Sequence, residues 1–400
     1  MRRQGSVLGL MLCALLGVSA GAVAQELEEV AEQAGALIKE GKREEALALY
    51  DQFIAEHPDS AEAYYYRSGL HAWKAPRELV LADLNRAIEL KPDYLRAYFN
   101  RGCIHSQMHN RAAARADWQK TMELCAHAIE ADPEDAEVYY YRGRCFLALG
   151  NTGVAIEDFA EAVELDPDYV EGRYYLGMAL VMTGDYTGAL EQYDHLIQAD
   201  PENWGPYVSR ARCRERMGNQ QGALEDYDRA LELAPDTPVL YLFKADICQQ
   251  LGRLDEALAV LEQALEVDPE YPTTYVRRAM HFLNHRNDPE RAMAEIEKGL
   301  ALEPDESRKL TLILWRSEVY LKQGKLEDAM ADFNWALEVD PEHGRTYARR
   351  AKAYYEMGEY EKAWADVNKA RELGGTVRQD FIDKLSEKMP EPEDEPEGDQ

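Results

Sequence analysis

Apolar and polar positions along this chain carry two nested periods. Within residues 136–169, Tyr139, Gly143 and Phe146 recur at i, i+4 and i+7, one stripe of an α-helix. Gly150 and Asn151 interrupt the stripe, as a turn needing positive φ would. Ala155, Phe159 and Ala162 then repeat the same spacing until Asp166-Pro167 closes it. Proline steers the residue before it out of helical geometry, so this pair predicts a helix stop. The segment reads as two antiparallel helices joined by a tight turn.

The longer period is set by nine prolines: Pro58, Pro92, Pro133, Pro167, Pro201, Pro235, Pro269, Pro304 and Pro341. Five of the eight gaps are 34 residues and the others are 41, 35 and 37. A stack of like hairpins needs a helix stop at each junction, whereas a compact enzyme has no reason to space proline on a fixed beat. Counting from the prolines gives ten units: 27–60, 61–94, 95–135, 136–169, 170–203, 204–237, 238–271, 272–306, 307–343 and 344–377. Tyrosine recurs near the start of the first helix at Tyr64, Tyr98, Tyr139, Tyr207, Tyr241, Tyr275 and Tyr347. A small residue recurs in the second helix at Ala46, Ala114, Ala155, Ala189, Ala223, Ala257, Ala292, Ala329 and Ala363.

An aromatic, a small residue four on, an aromatic three further, then Ala, aromatic and Pro resembles the tetratricopeptide repeat. The resemblance implies an all-α, right-handed solenoid of about ten helical hairpins. The first unit departs from the pattern with Val30 in place of the aromatic, and the last has Gly374-Gly375 where Asp-Pro would fall. End units of a solenoid are expected to be atypical because one face meets solvent. Residues 376–389 read as one amphipathic stretch whose Phe381, Ile382 and Leu385 would pack, so 378–389 is assigned as a C-terminal capping helix.

The termini read differently. Residues 1–24 carry Arg2 and Arg3, an apolar stretch from Val7 to Val18, and the small-x-small run Ala22-Val23-Ala24, the pattern of a signal peptide. The apolar stretch is too short for a membrane span. The expected domain map is therefore a leader over 1–24, repeats over 25–377 with an insertion in 95–135, the cap over 378–389 and a disordered acidic tail over 390–400. The expected location is periplasmic or extracellular. A net charge of −30 makes nucleic acid and anionic membrane surfaces poor partners. Cys103, Cys125, Cys145, Cys213 and Cys248 lie in helical segments without C-x-x-C spacing and read as buried small hydrophobes, with Cys103 and Cys145 the first candidates for any bridge.

A second regularity concerns charge. Arg67, Arg101, Arg142, Arg210, Arg316 and Arg350 are each followed sixteen residues later by Asp83, Asp117, Asp158, Asp226, Asp332 and Asp366, and Arg278 is followed seventeen later by Glu295. In the fifth unit both members are lost together, to Leu176 and Gln192. Loss in pairs is what a salt bridge inside each hairpin predicts. Only Lys244, facing Val260, breaks the rule.

No catalytic motif is present: there is no G-x-S-x-G, H-E-x-x-H or G-x-G-x-x-G. The chain reads as a non-enzyme with no cofactor, binding a protein or peptide. The resemblance places the groove on the first helices, which implicates Tyr65, Phe99, Tyr140 and Tyr174 together with Arg144, Arg212, Arg345, Arg349 and Lys352. Packing between neighbouring first helices is the rival role for the aromatics. No unit carries the Lys and Asn that the family's carboxylate clamp would need. The alternative reading is a metal-binding or redox accessory protein using the third unit, where His105 and His109 stand four apart.

Overall fold

The computed structural model describes residues 20–72 and 75–392. Most of the expected leader and residues 393–400 of the tail lie outside the described residues. The chain divides into two compact units, Met1–Ala199 and Asp200–Gln400. Every described regular element is helical.

In the first unit, α1 (Ala20–Lys39) pairs with α2 (Arg43–Glu56), and α3 (Ala61–His71) with α4 (Arg77–Leu90). They are followed by α5 (Leu95–Gln107) with α6 (Arg111–Ala131), α7 (Ala136–Ala148) with α8 (Thr152–Leu165), and α9 (Val170–Thr183) with α10 (Tyr186–Ala199). The expected leader boundary falls inside α1, where Val23 packs on the cluster containing Leu27 and Ala34. The extra residues of the third unit lengthen its second helix: α6 has 21 residues where α8 has 14.

In the second unit, α11 (Trp204–Arg216) pairs with α12 (Gln220–Leu233), and α13 (Pro238–Gln250) with α14 (Leu254–Val267). Next come α15 (Pro272–His281) with α16 (Pro289–Ala301), α17 (Glu306–Lys322) with α18 (Leu326–Val339), and α19 (Gly344–Glu356) with α20 (Tyr360–Glu372). The capping segment forms α21 (Gln379–Lys388), whose Phe381 and Leu385 join Trp364 and Val367 in one cluster.

Each recurring residue type has a local reason. The small first-helix residue leaves room for an aromatic of the second helix: a Cβ on Gly143 would stand 2.8 Å from Phe159 Cε1. Gly150 adopts φ +84 in the hairpin turn, and His109 takes the same place in the third unit at φ 58. At the junctions, the Asp of Asp-Pro accepts from the amide two residues on, as Asp166 Oδ1 does from Asp168 N at 3.0 Å. The recurring tyrosine donates to the carbonyl of the preceding proline: Tyr275 to Pro269 at 2.9 Å and Tyr241 to Pro235 at 3.0 Å.

The eighth unit absorbs its thirty-fifth residue as a π-turn, Phe282–Arg286, closed by Asn287 at φ 49. That bulge explains why Glu295 follows Arg278 by seventeen residues.

The charge ladder forms as expected. Arg142 donates from Nε to Asp158 Oδ2 at 2.9 Å and from Nη2 to Oδ1 at 2.6 Å. The same two-pronged pairing joins Arg67 to Asp83, Arg101 to Asp117, Arg316 to Asp332 and Arg350 to Asp366. Arg210 pairs with Asp226, and Arg278 Nε meets Glu295 Oε2 at 3.0 Å. All seven acids are buried, with Asp158 at 4% exposure.

Some ladder cations also reach back sixteen residues to the preceding hairpin: Arg67 to Asp51 at 2.7 Å, Arg101 to Asn85 and Arg350 to Asn334, both at 2.8 Å. Among the described residues Lys244 pairs through this backward arm alone, meeting Asp228 at 2.7 Å, which resolves its apparent mismatch with Val260.

Candidate peptide-binding surface

The aromatic residues expected along the first helices do not form a row of free rings. Phe99 is 2% exposed and Tyr140 is buried. Their rings lie 5.5 Å from those of Tyr141 and Tyr175 respectively, the next residue type along the following first helix. Asn100 occupies that same place against Tyr65 and donates to its hydroxyl at 3.1 Å. Packing between neighbouring first helices therefore takes Phe99 and Tyr140 into the core, and half-buries Tyr65. Tyr174, at 39% exposure, keeps an open ring. Sequence reasoning missed Tyr141 and Tyr175, although both stand directly after an expected groove aromatic.

The cations behave differently from the ladder arginines. Arg144 stacks over Phe99 at 4.3 Å, Tyr175 at 4.6 Å and Tyr140 at 5.3 Å, and donates to the Tyr140 hydroxyl at 3.0 Å. Among the described residues no carboxylate pairs with it. Burial works against its charge, while Tyr140, Tyr175 and Cys103 favour it. Arg212 is exposed, and no ion pair among the described residues includes it.

Arg345 and Lys352 likewise enter no ion pair among the described residues. Arg349 lies over the Trp315 ring at 5.3 Å and meets Glu318 at 3.3 Å. These three side chains line a cavity of about 260 Å³ whose far wall is Thr376, Val377 and Arg378, the segment leading into α21. The last hairpin and the cap thus build one basic groove, to which sequence reasoning had not added Arg378.

A second cavity, about 320 Å³, lies in the same unit and presents Glu215, Asp246, Gln249 and His285 above Phe243. Burial pushes the Asp246 carboxyl up, against the pull of Arg277 at 3.2 Å.

The histidine pair expected as a metal candidate does not share a helical face. Helix α5 ends at Gln107, so His105 is in its last turn while His109 occupies the left-handed turn position. Neither belongs to a group of three potential ligands among the described residues; the one such group is Glu26, Glu56 and His57, on the surface. All five cysteines of the described residues are free, including Cys103 and Cys145. Burial pushes Cys125 up to about 12 and raises Cys103 and Cys145 as well, which favours the protonated thiol at all three.

A family model described as tetratricopeptide repeat matches residues 32–77, 123–170, 146–203, 174–238 and 316–376. A second model of the same description matches 216–280 and 252–313. Among solved structures the chain is similar to yeast Tom70, at 14% identity and a TM-score of 0.56, over 91% of this chain and 96% of that one. It is also similar to a tetratricopeptide repeat protein from Parabacteroides merdae, at 16% identity and a TM-score of 0.43, over 73% of this chain and 99% of that one. At such identity the likeness to Tom70 shows the fold alone. No curated protein matches the chain.

Proposed function

Because the chain belongs to the tetratricopeptide repeat family, we propose that it is a non-catalytic scaffold that binds a protein or peptide along the face of its first helices. One observation carries the reading. The sequence holds 75 acids against 45 bases, yet Arg144, Arg212, Arg345 and Lys352, all on first helices, enter no ion pair among the described residues. Acid is abundant, and the buried ladder takes up the structural arginines. First-helix cations left without an acid of their own are available to a partner's acids, and their interaction with such acids adds specificity as well as affinity. Tyr174 adds an open aromatic ring on the same set of helices. The leader-like segment 1–24 supports export of the scaffold.

The test is affinity capture from an envelope extract, with mass spectrometry, using the whole chain and a variant carrying Arg144→Ala and Arg212→Ala. A protein captured by the first and depleted at least tenfold with the second supports the reading. Capture unchanged by the substitutions would place binding elsewhere and refute it.

A further inference from the structure

We propose that the groove between α19 and the segment leading into α21 receives an acidic, extended segment of a partner protein. The proposal deepens the scaffold reading and rests on it. Arg345, Arg349 and Lys352 stand at i, i+4 and i+7, one stripe of a helix, so neighbouring charges of the same sign lie about 5–6 Å apart at their Cβ atoms. Like charges at this spacing repel, and the protein's own acids offset them only in part. Glu318 meets Arg349, and Asp380 meets Arg378 in a surface pair whose members are 73% and 51% exposed. Among the described residues Arg345 and Lys352 enter no ion pair, although Glu318 and Glu356 line a neighbouring cavity together with Lys352.

The spacing selects the ligand. Alternate side chains of an extended strand lie about 6.6 Å apart on one side, close to the 5.4 Å rise of a helical turn, so acids at every second residue can meet successive cations of the stripe. Ala348 and Val377 supply small apolar surface on which such a backbone can lie. Nucleic acid fits poorly despite the positive groove, because its charge extends far beyond the groove and meets an acidic protein. The capping segment acquires a second role here: besides closing the core through Phe381 and Leu385, it supplies Arg378 as the opposite wall.

The probe is a fluorescein-labelled decapeptide of alternating glutamate and glycine, titrated by anisotropy into the full chain at about 50 mM salt, where screening is modest. A lysine–glycine peptide serves as control. Saturable binding of the acidic peptide alone is expected. It should weaken at least tenfold with Arg345→Glu plus Lys352→Glu, and measurably with Arg378→Glu, while Lys120→Glu on α6 leaves it within twofold. The neutral pair Arg345→Gln plus Lys352→Gln repeats the test without charge reversal, and helicity of each variant is checked by circular dichroism. No binding, or equal loss with Lys120→Glu, overturns the proposal. Binding that appears only after residues 393–400 are removed assigns the groove to the chain's own tail and also overturns it. Should the peptide fail while partner capture still depends on Arg144 and Arg212, this inference falls alone; should both fail, the scaffold reading falls with it.

Discussion

The ladder can be tested quantitatively at Arg142 and Asp158. The pair is two-pronged at 2.9 and 2.6 Å, the aspartate is buried, and the arginine side chain is 28% exposed. Unit charges about 4 Å apart attract by about 4 kcal/mol at an effective dielectric near 20. Desolvating the carboxylate and fixing two side chains offsets much of this, so the net value of the pair is smaller than the cost of breaking it. Removing one partner of a buried pair costs about 3–5 kcal/mol; water at the exposed part of Arg142 lowers the figure for Asp158→Asn to about 1–3 kcal/mol.

The fifth unit shows how the pair can be replaced. There Gln192 accepts from Arg173 Nη1 at 3.1 Å, so the charge pair has given way to a different hydrogen bond. Arg142→Leu with Asp158→Gln should therefore cost less than either single change, and adding Tyr139→Arg should recover most of the remainder. Urea unfolding followed by far-ultraviolet circular dichroism measures each value, with constant slope required because repeat stacks can lose all-or-none behaviour. A coupling energy under about 0.3 kcal/mol in the double-mutant cycle would mean the residues act independently, and the ladder argument would fail.

Further expectations follow from packing and titration. Phe99→Ala should lower stability by about 3–5 kcal/mol in the same assay. Tyr174→Ala should change it by less than about 1 kcal/mol; equal losses would contradict their burial. Gly143→Ala should destabilise by about 1–3 kcal/mol because its methyl meets the Phe159 ring, and an unchanged midpoint would show that the ring can move aside. His109→Gly should be neutral or stabilising by up to about 1 kcal/mol, since it relieves a left-handed backbone; a clear loss would assign the imidazole a structural contact. The folded-state thiol of Cys125 lies near 12 against an ordinary value of 9.0, so the folded state holds its proton more tightly than the unfolded state. Its contribution is present below pH 9 and is lost as pH rises towards 12, and a disulfide reagent at pH 8 should label native protein far more slowly than urea-unfolded protein.

The repeat architecture was legible because each hairpin is specified locally. Proline and glycine set the turns, and helical periodicity sets the buried stripe, with no reference to distant residues. The intra-hairpin half of the ladder was equally legible, since a fixed sequence separation inside a repeated unit maps to one distance. Contacts between units were not. The backward reach of Arg67 to Asp51 and of Lys244 to Asp228 depends on how one hairpin sits on the previous one, which no single unit encodes. The same limit governed the aromatics: Phe99 and Tyr140 are buried because the next hairpin places Tyr141 and Tyr175 beside them, which no single hairpin encodes. Likewise Arg378 joined Arg345, Arg349 and Lys352 only when α21 folded onto α20. Sequence alone determined the hairpins, their turns and their internal pairing, because those depend on short-range chain geometry. Tertiary structure decided which rings are buried and which cations remain unpaired, because both depend on surfaces meeting across the stack.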